Sequence, residues 1–156
     1  MVVVLIIGII VTFAVLSLGN RALDDELESE GERLHQLLAI AGEDAEVQGL
    51  DLGWRYIGGG YEFLILNQDG IWVPLPGLGA LRARNLPQPL YIDLSIEGRA
   101  VSPSSPADKP VEPQVLLLSS GETTAFRLDL RATGYKPFLR LQSDALGRLQ
   151  KQRFEE

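Results

Sequence analysis

The sequence predicts an α+β fold in which one long N-terminal helix packs on an antiparallel β-sheet or β-sandwich domain. Three observations predict it. Residues Met1 to Leu18 carry no charge. An apolar stripe at three- and four-residue steps then runs unbroken through a strongly acidic segment. From residue 50 the pattern changes to strand-like alternation punctuated by glycine turns.

The first element is the apolar run. Its eighteen residues, at 1.5 Å per residue, cover roughly 27 Å of bilayer. A cleaved signal peptide is a rival reading, supported by the small-x-small triplet Ser17-Leu18-Gly19. Against it, no Lys or Arg precedes the run, and the run exceeds the usual apolar core of such signals. A buried core helix with no polar face would need a larger domain around it than the remaining chain supplies.

Beyond Gly19-Asn20 come Arg21 and the acids Asp24, Asp25, Glu26, Glu28, Glu30 and Glu32. Threaded among them, Leu23, Leu27, Leu34, Leu37, Leu38, Ala41 and Ala45 fall on one narrow stripe of a 3.6-residue wheel, with Leu16 on its extension. These residues are the expected packing face between helix and domain. Gly31 and Gly42 interrupt the pattern, Gly31 as a bend or a close packing point, and the helix is expected to end near Gly49.

The β-region opens with a three-strand meander. Leu52–Ile57, Tyr61–Leu66 and Ile71–Val73 are joined by Gly58-Gly59-Gly60 and by the tight-turn signature Asn67-Gln-Asp-Gly70. Leu81–Arg84 is expected to form a helical turn. Leu90–Ile96 alternates, with Leu90, Ile92, Leu94 and Ile96 on one side and Tyr91, Asp93 and Ser95 on the other, before a Glu97-Gly98 turn. Residues 101–113 hold four prolines and predict an exposed, mobile loop with polyproline character and a role as a partner contact. Val115–Leu118, Ala125–Leu130, Pro137–Leu141 and Arg148–Gln150 follow as strands, giving seven or eight in all. The expected organisation is a transmembrane and assembly helix over 1–20, its amphipathic continuation over 21–49, and a β-rich domain over 50–156.

The totals narrow the function classes. With 21 acids against 14 bases and a net charge of −7, the surface repels nucleic acid, so no nucleic-acid partner is expected. Arg148, Lys151 and Arg153 precede Glu155-Glu156 and predict a solvated terminal face, with DNA contact a distant second. Cysteine is absent, so neither disulfides nor zinc-thiolate ligation holds the fold. The lone His35 lacks partners for a metal site or a nucleophilic dyad and is expected on a solvent-facing helix position. Ser119-Ser120-Gly121 lacks a nucleophile elbow, and Gly58-Gly59-Gly60 lacks the lysine and helix start of a phosphate loop. The acids at 24–32 circle a helix instead of converging from a loop, which predicts a hydrated face and not calcium binding. The expectation is no catalytic residue, no metal and no cofactor.

Set side by side, Val2-Val-Val-Leu-Ile-Ile-Gly8-Ile-Ile10 and the acidic helix Leu23-Asp-Asp-Glu-Leu-Glu28 resemble the minor pseudopilin H (general secretion pathway protein H) family of type II secretion systems. Further matching segments are Ala14–Arg21, Ala45–Gly49, Tyr61–Leu66, Gln114–Thr124 and Asp144–Leu149. The N-terminal segment is common to type IV pilin-like proteins, and the late strands favour this branch. The resemblance implies a pilin-like fold and a non-enzymatic subunit of the pseudopilus, a short periplasmic fibre that supports export of folded proteins across the outer membrane. It implies a bacterial inner-membrane, single-pass location with the C-terminal domain in the periplasm.

The implied partners are the major pseudopilin, the other minor pseudopilins, inner-membrane platform proteins and the lipid bilayer, with prepilin peptidase acting on a full-length precursor. The residues implied to anchor and then assemble are Val2, Val3, Val4, Leu5, Ile6, Ile7, Gly8, Ile9, Ile10, Val11, Phe13, Val15, Leu16 and Leu18. The family carries a basic leader, a processing site ending in Gly, and Phe-Thr-Leu-Leu-Glu ahead of this run. Met1 stands just past the glutamate's position, so the expectation is a start placed too far downstream or a truncated form. Two other readings stay open on the residues: a minor pilin of a type IV pilus serving adhesion, motility or DNA uptake, and a membrane-anchored enzyme or ligand-binding domain.

Overall fold

The computed structural model describes residues 2–77 and 79–155, without the side chains at positions 2, 5, 10, 11 and 13–18. One helix, α1 (Val2–Gln48), takes in both the apolar run and the acidic segment. Its 47 residues span about 70 Å. It stops where Gly49 adopts a positive φ of 65°, the left-handed conformation that glycine reaches without a Cβ penalty. The Leu50 amide then donates to the Ala45 carbonyl at 3.1 Å, closing the last turn.

Two five-stranded antiparallel sheets follow. The first holds β1 (Leu52–Ile57), β2 (Gly60–Leu66), β3 (Trp72–Pro74), β4 (Arg84–Asn85) and β7 (Val115–Leu117) in the order β3-β2-β1-β7. β4 pairs with the Gly60 end of β2, on a stretch that β3 leaves free. The second sheet holds β5 (Leu90–Ile96), β6 (Arg99–Val101), β8 (Phe126–Ala132), β9 (Tyr135–Ser143) and β10 (Leu149–Phe154) in the order β10-β9-β8-β5-β6. Both sheets and the second half of α1 share one core, with Trp54, Tyr61, Phe63, Leu128, Leu130, Leu139 and Leu141 among its fully buried side chains.

Two expectations change. The strands number ten among the described residues, not seven or eight, because β4 and β6 are two- and three-residue pairings too short to show a period. Leu81–Arg84 forms no helix: Arg84 enters β4, whose backbone lies so close to Gly60 that a Cβ there would clash with the Arg84 carbonyl. β6 exists because Glu97 and Gly98 both take positive φ, 51° and 75°, the geometry of a type I′ hairpin turn. The proline-rich segment is tied to β1 at both ends. The Ser104 amide donates to the Tyr56 carbonyl at 2.8 Å. The Gln114 amide bonds to the Trp54 carbonyl at 3.0 Å, and its side-chain oxygen accepts from the Tyr56 amide at 2.7 Å. Between these ties residues 105–110 are exposed.

Candidate functional site

The helix divides into two parts with opposite surroundings. From Leu27 onward the stripe enters the core: Leu27, Leu34, Leu37, Leu38, Ala41 and Ala45 are buried, and Leu23 packs partly buried against them. Before Arg21 the large apolar side chains that are described face outward. Val3, Val4, Ile6, Ile7 and Ile9 are exposed, Val4 to 71%, and nothing lies within 4 Å of where a Cβ on Gly8 would sit. The Thr12 hydroxyl donates to the Gly8 carbonyl at 2.8 Å, so this polar side chain is satisfied inside the helix. Among the expected assembly residues, the side chains of Val2, Leu5, Ile10, Val11, Phe13, Val15, Leu16 and Leu18 lie outside those described. The expected membrane span falls largely on them. Among the described residues no helix is long and apolar enough to cross a membrane.

Gly31 is a close packing point. A Cβ there would run into Leu139 Cδ1, so the missing side chain lets β9 press against the helix backbone. Gly42 is the opposite case, with open space where its Cβ would be.

Lys151 and Arg153, expected on a solvated terminal face, instead meet the acidic segment of the helix. Lys151 Nζ lies 2.8 Å from Glu28 Oε1 and 2.6 Å from Glu32 Oε2. Arg153 Nη2 donates to Asp24 Oδ1 at 2.5 Å, and the Tyr135 hydroxyl donates to the same oxygen at 2.6 Å. The geometry follows from two matching repeats. Acids four apart on a helix are separated by about 6 Å along its axis, and alternate residues of a strand by about 6.8 Å. Antiparallel β10 therefore lays its inward cations along one face of α1. The fully hydrated acidic face expected from the sequence is corrected on this side, while Arg148 pairs with Asp144 in the open.

The ionisation of these groups reflects the contacts. The bond from Arg153, helped by Tyr135, holds the Asp24 carboxyl below its ordinary value. Lys151, helped by Gln36, does the same for Glu32. Bonds to Glu28 and Glu32 in turn raise Lys151. Elsewhere, burial and then the Glu30 charge push the Tyr61 phenol up to about 12.

The residues set aside as non-catalytic are dispersed. His35 is half-buried and borders a cleft of about 280 Å³ lined also by Leu38, Glu43, Glu46, Phe126 and Leu146. The Ser119 hydroxyl donates to Asp51 at 2.9 Å, tying the turn after β7 to the start of β1. Gly58-Gly59 turns the first hairpin. Among the described residues no group of three or more His, Cys, Asp or Glu is placed to hold a metal ion.

This fold is found in solved structures of known role. A crystal structure of the minor pseudopilin EpsH from the type II secretion system of Vibrio cholerae matches with a TM-score of 0.69 and 26% identity, over 83% of this chain and 94% of that one. The solution structure of Escherichia coli GspH matches with a TM-score of 0.63 over 83% and 89%, at 20% identity, and speaks to fold alone. No protein-family model matches the sequence. Type II secretion system protein H of Aeromonas hydrophila is 28% identical over 164 aligned residues, covering 99% of this chain and 90% of its own length. The protein of the same name from Pseudomonas aeruginosa is 32% identical over 141 residues, covering 86% of this chain and 80% of its own. With that identity over most of both sequences, on a shared fold, the chain belongs to the type II secretion system protein H family of minor pseudopilins.

Proposed function

We propose that this chain is a structural subunit of the type II secretion pseudopilus, supporting the export of folded proteins across the outer membrane, and that it works by assembly and not by catalysis. The observation that carries the reading is the divided helix. Its second half is built into the domain core, while the described apolar side chains of its first half have no partner within the subunit. A solvent-exposed row of Val and Ile is costly in water, at about 25 cal/mol per Å² of apolar surface. It is stable in lipid or against the same segment of neighbouring subunits.

Residues 1–20 serve as a single-pass anchor in the inner membrane and then as an assembly spine, and residues 50–156 form a periplasmic domain on the amphipathic stem 21–49. Exchange of lipid for protein contacts then moves the subunit from bilayer to fibre, with Gly8 offering a surface for close helix approach. The partners are the major pseudopilin, the other minor pseudopilins and the inner-membrane platform, with prepilin peptidase processing a full-length precursor.

Deletion of the gene, followed by complementation from its native start, tests this. The reading predicts loss of exoprotein secretion with the proteins retained folded in the periplasm, and restoration on complementation. Normal secretion by the deletion strain would overturn it, and loss of motility or adhesion with secretion intact would assign the chain to a type IV pilus.

A further inference from the structure

The face of the second sheet that points away from α1 is not the neutral polar surface usual for a solvated strand layer. The strand register pairs Phe154 of β10 with Phe138 of β9, and Tyr91 of β5 with Arg131 of β8, whose place in an irregularity of the β8–β9 pairing brings the two pairs together. The two phenyl rings stack with centroids 4.8 Å apart, and the Arg131 guanidinium sits 3.9 Å above the Phe138 ring. The next row along the strands holds Arg140, Asp129 and Asp93. Arg140 Nε donates to Asp129 Oδ1 at 2.7 Å and its Nη2 to Oδ2 at 2.8 Å, a two-pronged bond. Asp129 is only 7% exposed, so this pair holds its rotamers.

Charge gives the face its direction. In a chain of net charge −7, it presents the guanidiniums of Arg127, Arg131 and Arg140 against the carboxylates of Asp93 and Asp129. Both carboxylates are already engaged by Arg131 or Arg140. Arg127, beside Ser95 and Gln142, is exposed and forms no ion pair among the described residues. Tyr, Phe and Arg are the residue types concentrated in protein interfaces, and side chains already fixed by their neighbours lose less entropy when a partner docks.

The geometry points to this outer face as the docking surface for a segment of a neighbouring fibre subunit that carries an exposed carboxylate, with Arg127 as the cation that receives it. Exposed Tyr91 and half-buried Phe154 take the apolar part of that segment, over a Phe138 ring that is itself buried, and Arg127, which has no carboxylate at ion-pair distance among the described residues, takes its carboxylate. The identity of the partner as a fibre subunit rests on the pseudopilin reading above.

The test uses the full chain in a secreting strain, with a photo-crosslinking phenylalanine analogue at Gln152, which is exposed on this face. The expected product joins this chain to another pseudopilin within a segment containing Asp or Glu. Arg127→Glu should reduce its yield about tenfold, on the scale of one lost interface arginine, and Arg127→Lys should keep most of it. Replacing the partner's contacted Asp or Glu by Arg should restore the yield with Arg127→Glu. Thermal melting checks that each variant folds, and Arg127→Gln replaces the reversal if that variant does not.

Several results would overturn the proposal: an unchanged yield with Arg127→Glu, no rescue by the charge swap, a product with a second copy of this chain or with a segment lacking acids, or no protein product. If the deletion strain still secretes, it is the pseudopilin reading that fails. If deletion abolishes secretion and Arg127→Glu leaves the crosslink intact, the docking face alone fails.

Discussion

Two stretches of one helix hold the same kinds of side chain and put them to opposite use. Between Val3 and Ile9 every described Val and Ile is exposed, whereas Leu27, Leu34, Leu37 and Leu38 are buried. The difference lies in arrangement. A stripe at 3.6-residue spacing fits against one surface and leaves a polar back for water. An apolar run with no polar side must be surrounded on all sides. The sequence thus separates the part of the helix that the domain covers from a part whose described Val and Ile it leaves exposed.

The strongest way to break this contrast is to remove one leucine from the stripe. Leu34, at 1% exposure, should cost about 2–5 kcal/mol of domain stability when changed to alanine, measured by urea unfolding. Ile7→Ala should change the same transition by less than about 0.5 kcal/mol, since no domain contact is lost. Equal effects would erase the distinction.

The two helix glycines sharpen it further. Gly31→Ala should destabilise the domain by about 1–3 kcal/mol, because the new methyl meets Leu139 in a filled core. Its cost should shrink in a Leu139→Ala background, where the methyl has room. Gly42→Ala, facing open space, should instead stabilise by up to about 1 kcal/mol through helix propensity.

The ion ladder between α1 and β10 should give the smallest effect, visible in pH dependence. The Asp24 and Glu32 carboxyls are lowered from 3.8 and 4.5. Their contribution is therefore present above these ordinary values and fades as pH falls through the lowered ones. Lys151 is raised from 10.5, so its share is fully present below that value and lost as pH rises through the raised one. Replacing Lys151 by Met should reduce stability at neutral pH and flatten its decline on acidification, with salt weakening the native ladder. An unchanged acid profile would show that the ladder adds nothing to the helix seat.

Local pattern reveals the stem and the alternation of β5, since each depends on neighbours within a few residues. The turns at Gly49, Asn67–Gly70 and Glu97-Gly98 are legible for the same reason: their side-chain chemistry selects the backbone directly. What stayed hidden depends on contacts distant in sequence. Lys151 meets acids 119 and 123 residues away, and Arg153 one 129 away, so nothing near the C-terminus marks them as inward-facing. Gly31 reads equally as a bend or a packing point from its own neighbours, and only Leu139, from the far end of the chain, makes it the latter. The aromatic and guanidinium row on the outer sheet face exists only through the pairing register of four strands. Two short alternating segments alone do not announce a shared surface.

The most direct test of the central claim places one charge among the Val and Ile side chains that the start of the helix leaves exposed. Ile7→Asp, introduced into the complete native gene, should leave the domain's thermal unfolding unchanged and abolish exoprotein secretion. Secretion at the native level from that strain, with the variant present in normal amount, would contradict the account.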